Sequence, residues 1–360
     1  MHIFLLIVGL LALSIFATKL IWKHEITLSE MFIQFAALVL LLLVFWIISF
    51  HSKVSDVEIL NGEVLKKEVN TIHCRHSYPC NCHTTCSGSG KGRSCFRHCS
   101  TCYSHAFDLE YEIMSNIGNY YINTIDSQGL IAPSRYTLVN IGDPVSKSHN
   151  YTNYIKGSNT SLFASKITLS KEEIKQLPKY PSNVYDYYNI DRIIDLTGML
   201  HKEDLTMYNG MLSDKLKKVG FIKQANVVMV LTNKNEVFAL KLLDYWYGGK
   251  KNDIVVIIGI DGNKHIQYTR VHSWSLHSIV DIKIRNNISE MQVLDVNSAI
   301  DIIIEEINQD YVRRSFKEFE YLKWRILPSI LSLFAFTGLL ILISGFIGWR
   351  FSKNNIKALD

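Results

Sequence analysis

The sequence predicts an α+β membrane protein with three transmembrane helices, a small cysteine-rich β-domain and an α/β sandwich. Three observations predict it. Apolar runs, each long enough to cross a bilayer as a helix, occur twice near the start of the chain and once near its end. All seven cysteines lie between Cys74 and Cys102. The sequence between the runs also changes texture, from short alternating strands to helices and continuous apolar strands.

The first run covers 2–22 and is broken by Lys19 near its end; the second, 31–50, has Gln34 and Ser49 as its polar members; the third, 327–349, is uncharged. Neither lysine nor arginine opens the first run, and no small-x-small cleavage site follows it, so it reads as a retained anchor. Residues 1–50 are then a helical hairpin, 327–349 a closing helix and 350–360 a basic tail. Lys19 and Lys23 mark the hairpin loop; Arg350, Lys353 and Lys357 mark the tail. The positive-inside rule places loop and tail in the cytoplasm and the intervening region outside. Arg313, Arg314, Lys317, Lys323 and Arg325 pull the other way, but long domains obey the rule weakly. A net charge of +5 without a basic stripe interleaved with aromatics gives nucleic-acid binding no support. The partners expected are the lipid bilayer and a protein, either another chain or a second copy.

Residues 54–166 read as the β-domain. "VEILNGEVLKKEV" places Asn61-Gly62 between alternating runs, a hairpin signal. "FDLEYEI" and "NYYINTI" read as strands about a turn at Asn116-Ile117-Gly118. The Cys/His-rich stretch 73–105 interrupts this domain as an elaborated loop.

A polar linker, 171–183, contains two prolines and leads to 184–325. There "HKEDLTMYNGMLSDKLKKVG" carries apolar residues at 205, 208, 212, 216 and 219, a helical stripe. "ANVVMVLT" is a buried strand, and "VFALKLLDYWYGG" is a helix ended by glycines. "NDIVVIIGIDG" and "KHIQYTRV" form a strand pair about Asp261-Gly262. "VNSAIDIIIEEINQDYVRRSFKEFEYLKW" reads as one long amphipathic helix running into the third span.

This half, about 184–312, resembles the TPM domain family in "IIDLTGMLHKED", "ALKLLDYWYGGKKNDIVVIIGID" and "HIQYTRV". The resemblance implies an α/β sandwich tethered to the outer side of a membrane. It also implies divalent-cation binding, calcium among the candidates, with weak phosphatase activity in some members and assembly roles in others. Asp195 matches the family's opening acidic residue. Asn252 and Asp253 lie in its polar loop, where Asp253 stands in place of the usual glycine. The chain as a whole is similar to membrane proteins of large tailed bacteriophages, which implies a bacterial inner membrane.

Zinc takes four Cys or His ligands in closely spaced pairs. Cys82-x3-Cys86 and Cys99-x2-Cys102, twelve residues apart, satisfy that spacing. Cys80, Cys95, His98 and His105 remain for a second site or a disulfide. Outside the cytoplasm three disulfides compete, and seven cysteines would then leave one over, Cys74, which stands apart. Five of the thirteen histidines share the stretch, which favours metal. Gly90-Lys91 does not make a phosphate loop, because the required earlier glycine is replaced by Thr85. The functional expectation is a membrane-anchored interaction or assembly protein, with a divalent-cation-dependent phosphatase of TPM type as the alternative.

Overall fold

The computed structural model describes residues 2–22, 26–88, 94–158, 169–181 and 191–354. Lys23, the Gly90-Lys91 pair, the linker's last two residues, the expected start of the α/β domain (184–190) and the end of the basic tail (355–360) lie outside them. In chain order the elements begin with α1 (His2–Ile21), α2 (Leu28–Val54), β1 (Ser55–Ile72), β2 (Ser77–Ser87) and β3 (Ser94–Tyr103). There follow β4 (Asp108–Ser115), β5 (Gly118–Ile122), α3 (Ser134–Thr137), β6 (Pro144–Thr152), α4 (Tyr154–Gly157) and α5 (Lys171–Gln176). The last part holds β7 (Ile193–Asp195), α6 (Lys202–Lys223), β8 (Asn226–Thr232), α7 (Glu236–Tyr245) and β9 (Asp253–Ile260). It closes with β10 (Ile266–Ser273), α8 (Ile279–Glu290), α9 (Val296–Asp310), a 3₁₀ segment (Phe316–Arg325) and α10 (Ile330–Asn354).

These elements fall into two compact units. The first contains described residues 2–56, 152–158 and 316–354. Its helices α1, α2 and α10 are each long and apolar enough to cross a membrane. They meet along Ile7, Leu11, Leu38, Leu42 and Leu340, while most of their other apolar side chains face outward, as lipid-facing helices require. Gln34 donates to the Ser344 carbonyl at 2.8 Å and to its hydroxyl at 2.9 Å, and Ser14 donates to the same hydroxyl at 3.1 Å. Each helix thus contributes one member of a polar cluster, the kind of interhelical contact that apolar surroundings favour. A capping box between Thr27 and Glu30 starts α2.

The second unit contains described residues 57–151 and 169–315. One sheet has the order β5-β4-β1-β6 and a core of Val64, Tyr111, Ile113, Val139 and Val145. Asn61-Gly62 is not a turn here. β1 runs straight through it, because Asn61 is buried and donates to the Ala225 carbonyl at 2.9 Å. Gly62 lies so close to Asn116 that a Cβ would sit 2.0 Å from its Oδ1, so the glycine is there for a close approach.

The second sheet has the order β10-β9-β8-β7, with β7, β8 and β9 parallel and β10 antiparallel at the edge. Every residue of β8 and β9 is buried. Met229, Leu231, Val256 and Ile258 point into a core shared with α6, α8 and α9, and Val228, Val230, Val255 and Ile257 into one shared with α7. Alternate side chains therefore serve opposite faces, which is why these strands read as unbroken apolar runs. Gly248 and Gly249, with φ of 75° and 84°, end the turn after α7 as the sequence implied. An additional helix, α8, is marked in sequence by Val280, Ile284 and Ile288 at four-residue spacing, all fully buried.

The long final helix is shorter than expected. α9 ends at Asp310, where Tyr311 turns extended and buries its ring. Arg313 bridges to Ser275 in the backbone and places its guanidinium 2.6 Å from both oxygens of the buried Glu58 carboxylate. A charge pair of this kind outweighs the few tenths of a kcal/mol per residue that helix propensity could offer.

Candidate functional site at the root of a disulfide ribbon

The cysteine-rich stretch folds as a two-stranded antiparallel ribbon, β2 against β3. Register brings two of the three sulfur pairs face to face; the third is diagonal, since Cys80 lies opposite Ser100 and Cys102 opposite Tyr78. Cys86 lies opposite Cys95, His83 opposite His98, and a bulge between Cys80 and His83 shifts the pairing by the extra residue that Cys82 needs to meet Cys99. Asn81, with φ of 48°, takes the left-handed conformation inside that bulge. Three nested disulfides result, Cys86–Cys95, Cys82–Cys99 and Cys80–Cys102.

This corrects the zinc arrangement expected from spacing. Cys82 and Cys99 are bonded to one another, Cys86 to Cys95 and Cys102 to Cys80, and a disulfide sulfur has no thiolate to give a metal. His98 lies beside His83, their rings 5.7 Å apart. The pairing is the disulfide alternative, with Cys74 as the cysteine left over.

No described residue of the ribbon is buried, and Tyr78, Phe96 and Tyr103 expose large parts of their rings. With no core beneath it, the ribbon depends on its crosslinks. Each closes a loop whose lost freedom is worth about 3 kcal/mol in the chain-entropy picture, less for the nested ones.

At the root of the ribbon Cys74, just beyond β1, meets His105, just beyond β3, and Asp108, which opens β4. Cys74 Sγ is 3.6 Å from His105 Nδ1, which is 3.0 Å from Asp108 Oδ1. Cys74 and Asp108 are buried. The other Asp108 oxygen accepts from the Arg75 backbone N–H at 2.8 Å. That bond, followed by those from His105 and Cys74, holds the Asp108 carboxyl below the usual carboxylate range against the opposing effect of desolvation. The His76 carbonyl accepts from Ser104 N at 3.0 Å and closes the ribbon's root, and the His76 ring lies 5.8 Å from that of His105. A cleft of about 330 Å³ opens alongside, lined by His76, Asp108, Glu110 and Tyr121 among others.

Thiol and carboxylate both address the same ring nitrogen of His105. A catalytic Cys-His-Asp relay needs them on opposite nitrogens, so that the ring can accept a proton on one side while held on the other. The arrangement instead suits a common acceptor between three donors. Among the described residues, these three bring ligand atoms within 4.8 Å of one another, close enough to hold a metal ion.

The acidic candidates of the α/β half are not brought together. Asp195 ends β7 level with Leu231, and so with Ile258, whereas Asp253 opens β9. Five residues along a strand separate the two levels, roughly 16 Å. Asp195 is occupied by its own loop, accepting from Thr197 N at 2.8 Å and Leu200 N at 3.0 Å. Asn252 is fully buried and donates to the Ile59 carbonyl at 2.5 Å.

Asp253, also fully buried, accepts from Asn226 at 2.9 Å, Tyr180 at 2.7 Å and Lys250 N at 2.7 Å. Burial pushes its carboxyl up, against those bonds. Asn226 in turn accepts from Arg192 Nε at 3.2 Å, and Arg192 reaches Ser213 at 2.7 Å and Asn61 and Ser146 at 2.5 Å. The Arg192 side chain is enclosed, and burial brings its guanidinium down to about 9. Asn252 and Asp253 therefore belong to a polar seam between the two sheets of this unit. The sequence signal for that seam is the Asn252-Asp253 pair itself, which resembles a loop site because buried and exposed polar residues share the same alphabet.

No family model matches the chain, and no curated protein matches it.

Proposed function

We propose that the chain is a membrane-anchored interaction or assembly protein, inserted through α1, α2 and α10, that presents the disulfide-laced ribbon to a protein partner outside the cytoplasm. The ribbon carries this reading. It exposes aromatic side chains at Tyr78, Phe96 and Tyr103 with three crosslinks to hold their backbone in place, and pre-ordered aromatics are favourable anchors at protein interfaces. The disulfides also support an oxidising compartment, in agreement with the lysines and arginines of the hairpin loop and tail. The TPM-type reading of residues 191–312 is supported by the order of elements, a parallel sheet with an antiparallel edge strand and helices on both faces.

The test is a photo-crosslinking residue at Phe96 in the full chain in native membranes, with Asn286 on α8 as the reference position. A protein adduct formed at 96, absent at 286 and lost on reduction, is the expected result. Equal labelling at the two positions, or adducts with lipid alone, would sink the proposal. Phosphatase activity that vanishes in Asp195→Ala would move the assignment to the TPM-type enzyme.

A further inference from the structure

We propose that Cys74, His105 and Asp108 form a zinc site at the root of the ribbon, completed by His76 or by a water from the adjoining cleft. Zinc bonds of about 2.3 Å to sulfur and about 2.0–2.1 Å to nitrogen and oxygen, at tetrahedral angles, put S and N about 3.5 Å apart and N and O about 3.3 Å apart. The observed separations are 3.6 Å and 3.0 Å. These two separations lie within a few tenths of an ångström of the zinc values, and all three ligand atoms lie within 4.8 Å of one another.

The carboxylate ligand has the support expected around a metal. Arg75 N fixes the far oxygen of Asp108 and so aims the near one, and His73 Nδ1 lies 3.1 Å from the Cys74 carbonyl. Thiolate, imidazole and carboxylate together suit zinc, whereas calcium and magnesium take oxygen donors. His76 and Asp108 line the cleft, which supplies an entry path and a fourth ligand or water. On binding, the Cys74 thiol loses its proton to solvent while the Zn–S bond forms; no electron is transferred.

The three ligands follow β1, follow β3 and open β4, so one ion ties the ribbon's two ends to the sheet that carries it. It also occupies the seventh sulfur. A free thiolate at the foot of three disulfides can attack them and reshuffle the pairing; a metal-bound one is withheld. This inference does not depend on what the ribbon binds.

The experiment uses the full chain in detergent, purified without reductant. Metal content is expected at one zinc per chain, lost in Cys74→Ser and His105→Ala and kept in His83→Ala and His98→Ala. Cobalt in place of zinc should give a thiolate-to-metal charge-transfer band that Cys74→Ser abolishes. Absence of both zinc and the cobalt band, or full zinc retention in Cys74→Ser, overturns the site. Asp108→Asn, which keeps an acceptor for Arg75, serves if the other variants fail to fold. The wild type gives a separate reading: alkylation of Cys74 should quicken at least tenfold once a chelator has stripped the zinc and slow again when zinc is restored, and a rate unchanged by both treatments overturns the proposal without any variant.

Discussion

β8 and β9 bury every residue, while the ribbon of β2 and β3 buries none of its described residues, yet both are hydrogen-bonded strand pairs, one parallel and one antiparallel, in one compact unit. The α/β sheet is held by removing apolar surface from water on both faces, a cooperative effect that each added side chain strengthens. The ribbon gains little from burial and is held by limiting what its unfolded state can explore. A region built in the first way tolerates reduction but not a cavity. One built in the second way tolerates surface substitution but not loss of a crosslink, and its exposed face stays free for contacts.

Breaking the seam between the sheets should have the largest effect. Arg192→Ala removes four hydrogen bonds from the buried seam together with a guanidinium charge that interacts with Asp253, and is expected to cost about 3–5 kcal/mol in chemical denaturation. Next comes the apolar core. Ile257→Ala, at a site with no exposed surface, should lose roughly 3 kcal/mol, and by the same amount with and without reductant.

The double variant Cys82→Ser/Cys99→Ser removes a nested crosslink and should loosen the ribbon locally by about 1–2 kcal/mol, seen as faster tryptic cleavage after the exposed Arg97, while the main thermal transition stays within about a degree or two. A lowered main transition would mean that ribbon and core fold as one. The smallest effect concerns Glu173, whose carboxyl is brought to about 2 by Lys241 and by the Ser170 backbone and hydroxyl of its capping box. Its folded value lies below the unfolded 4.5, so its contribution is complete above pH 4.5 and lost as the pH falls towards 2. Glu173→Gln should flatten the stability profile in that window alone.

Much of the fold was legible in the chain. The three apolar runs, the strands at β4, β5, β8, β9 and β10 and the glycine-ended α7 follow from composition and period, which are local properties. Less of the site was legible. The spacing of Cys82, Cys86, Cys99 and Cys102 satisfied a zinc template, but spacing along the chain does not say which strand faces which. The bulge beside Asn81 decides that, by setting the register that pairs Cys82 with Cys99. Asn61-Gly62 carried the signature of a turn and became the middle of a strand because Ala225 and Asn226, far along the chain, offered Asn61 hydrogen bonds.

The sequence by itself determined which segments are apolar enough for a bilayer, the helix or strand character of the strongly periodic segments such as α6, α7, β8 and β9, and that the cysteines would dominate one short stretch. Only the tertiary structure decided what the polar residues do. It paired six cysteines, sent Asn252 and Asp253 into a buried seam, placed Asp195 at the other end of the sheet and gathered Cys74, His105 and Asp108 at one point. Apolar patterning acts between neighbours a few residues apart and survives in any window of the chain. A hydrogen bond, a disulfide or a ligand set needs partners at fixed distances in space, and those distances exist only after the strands have found their register.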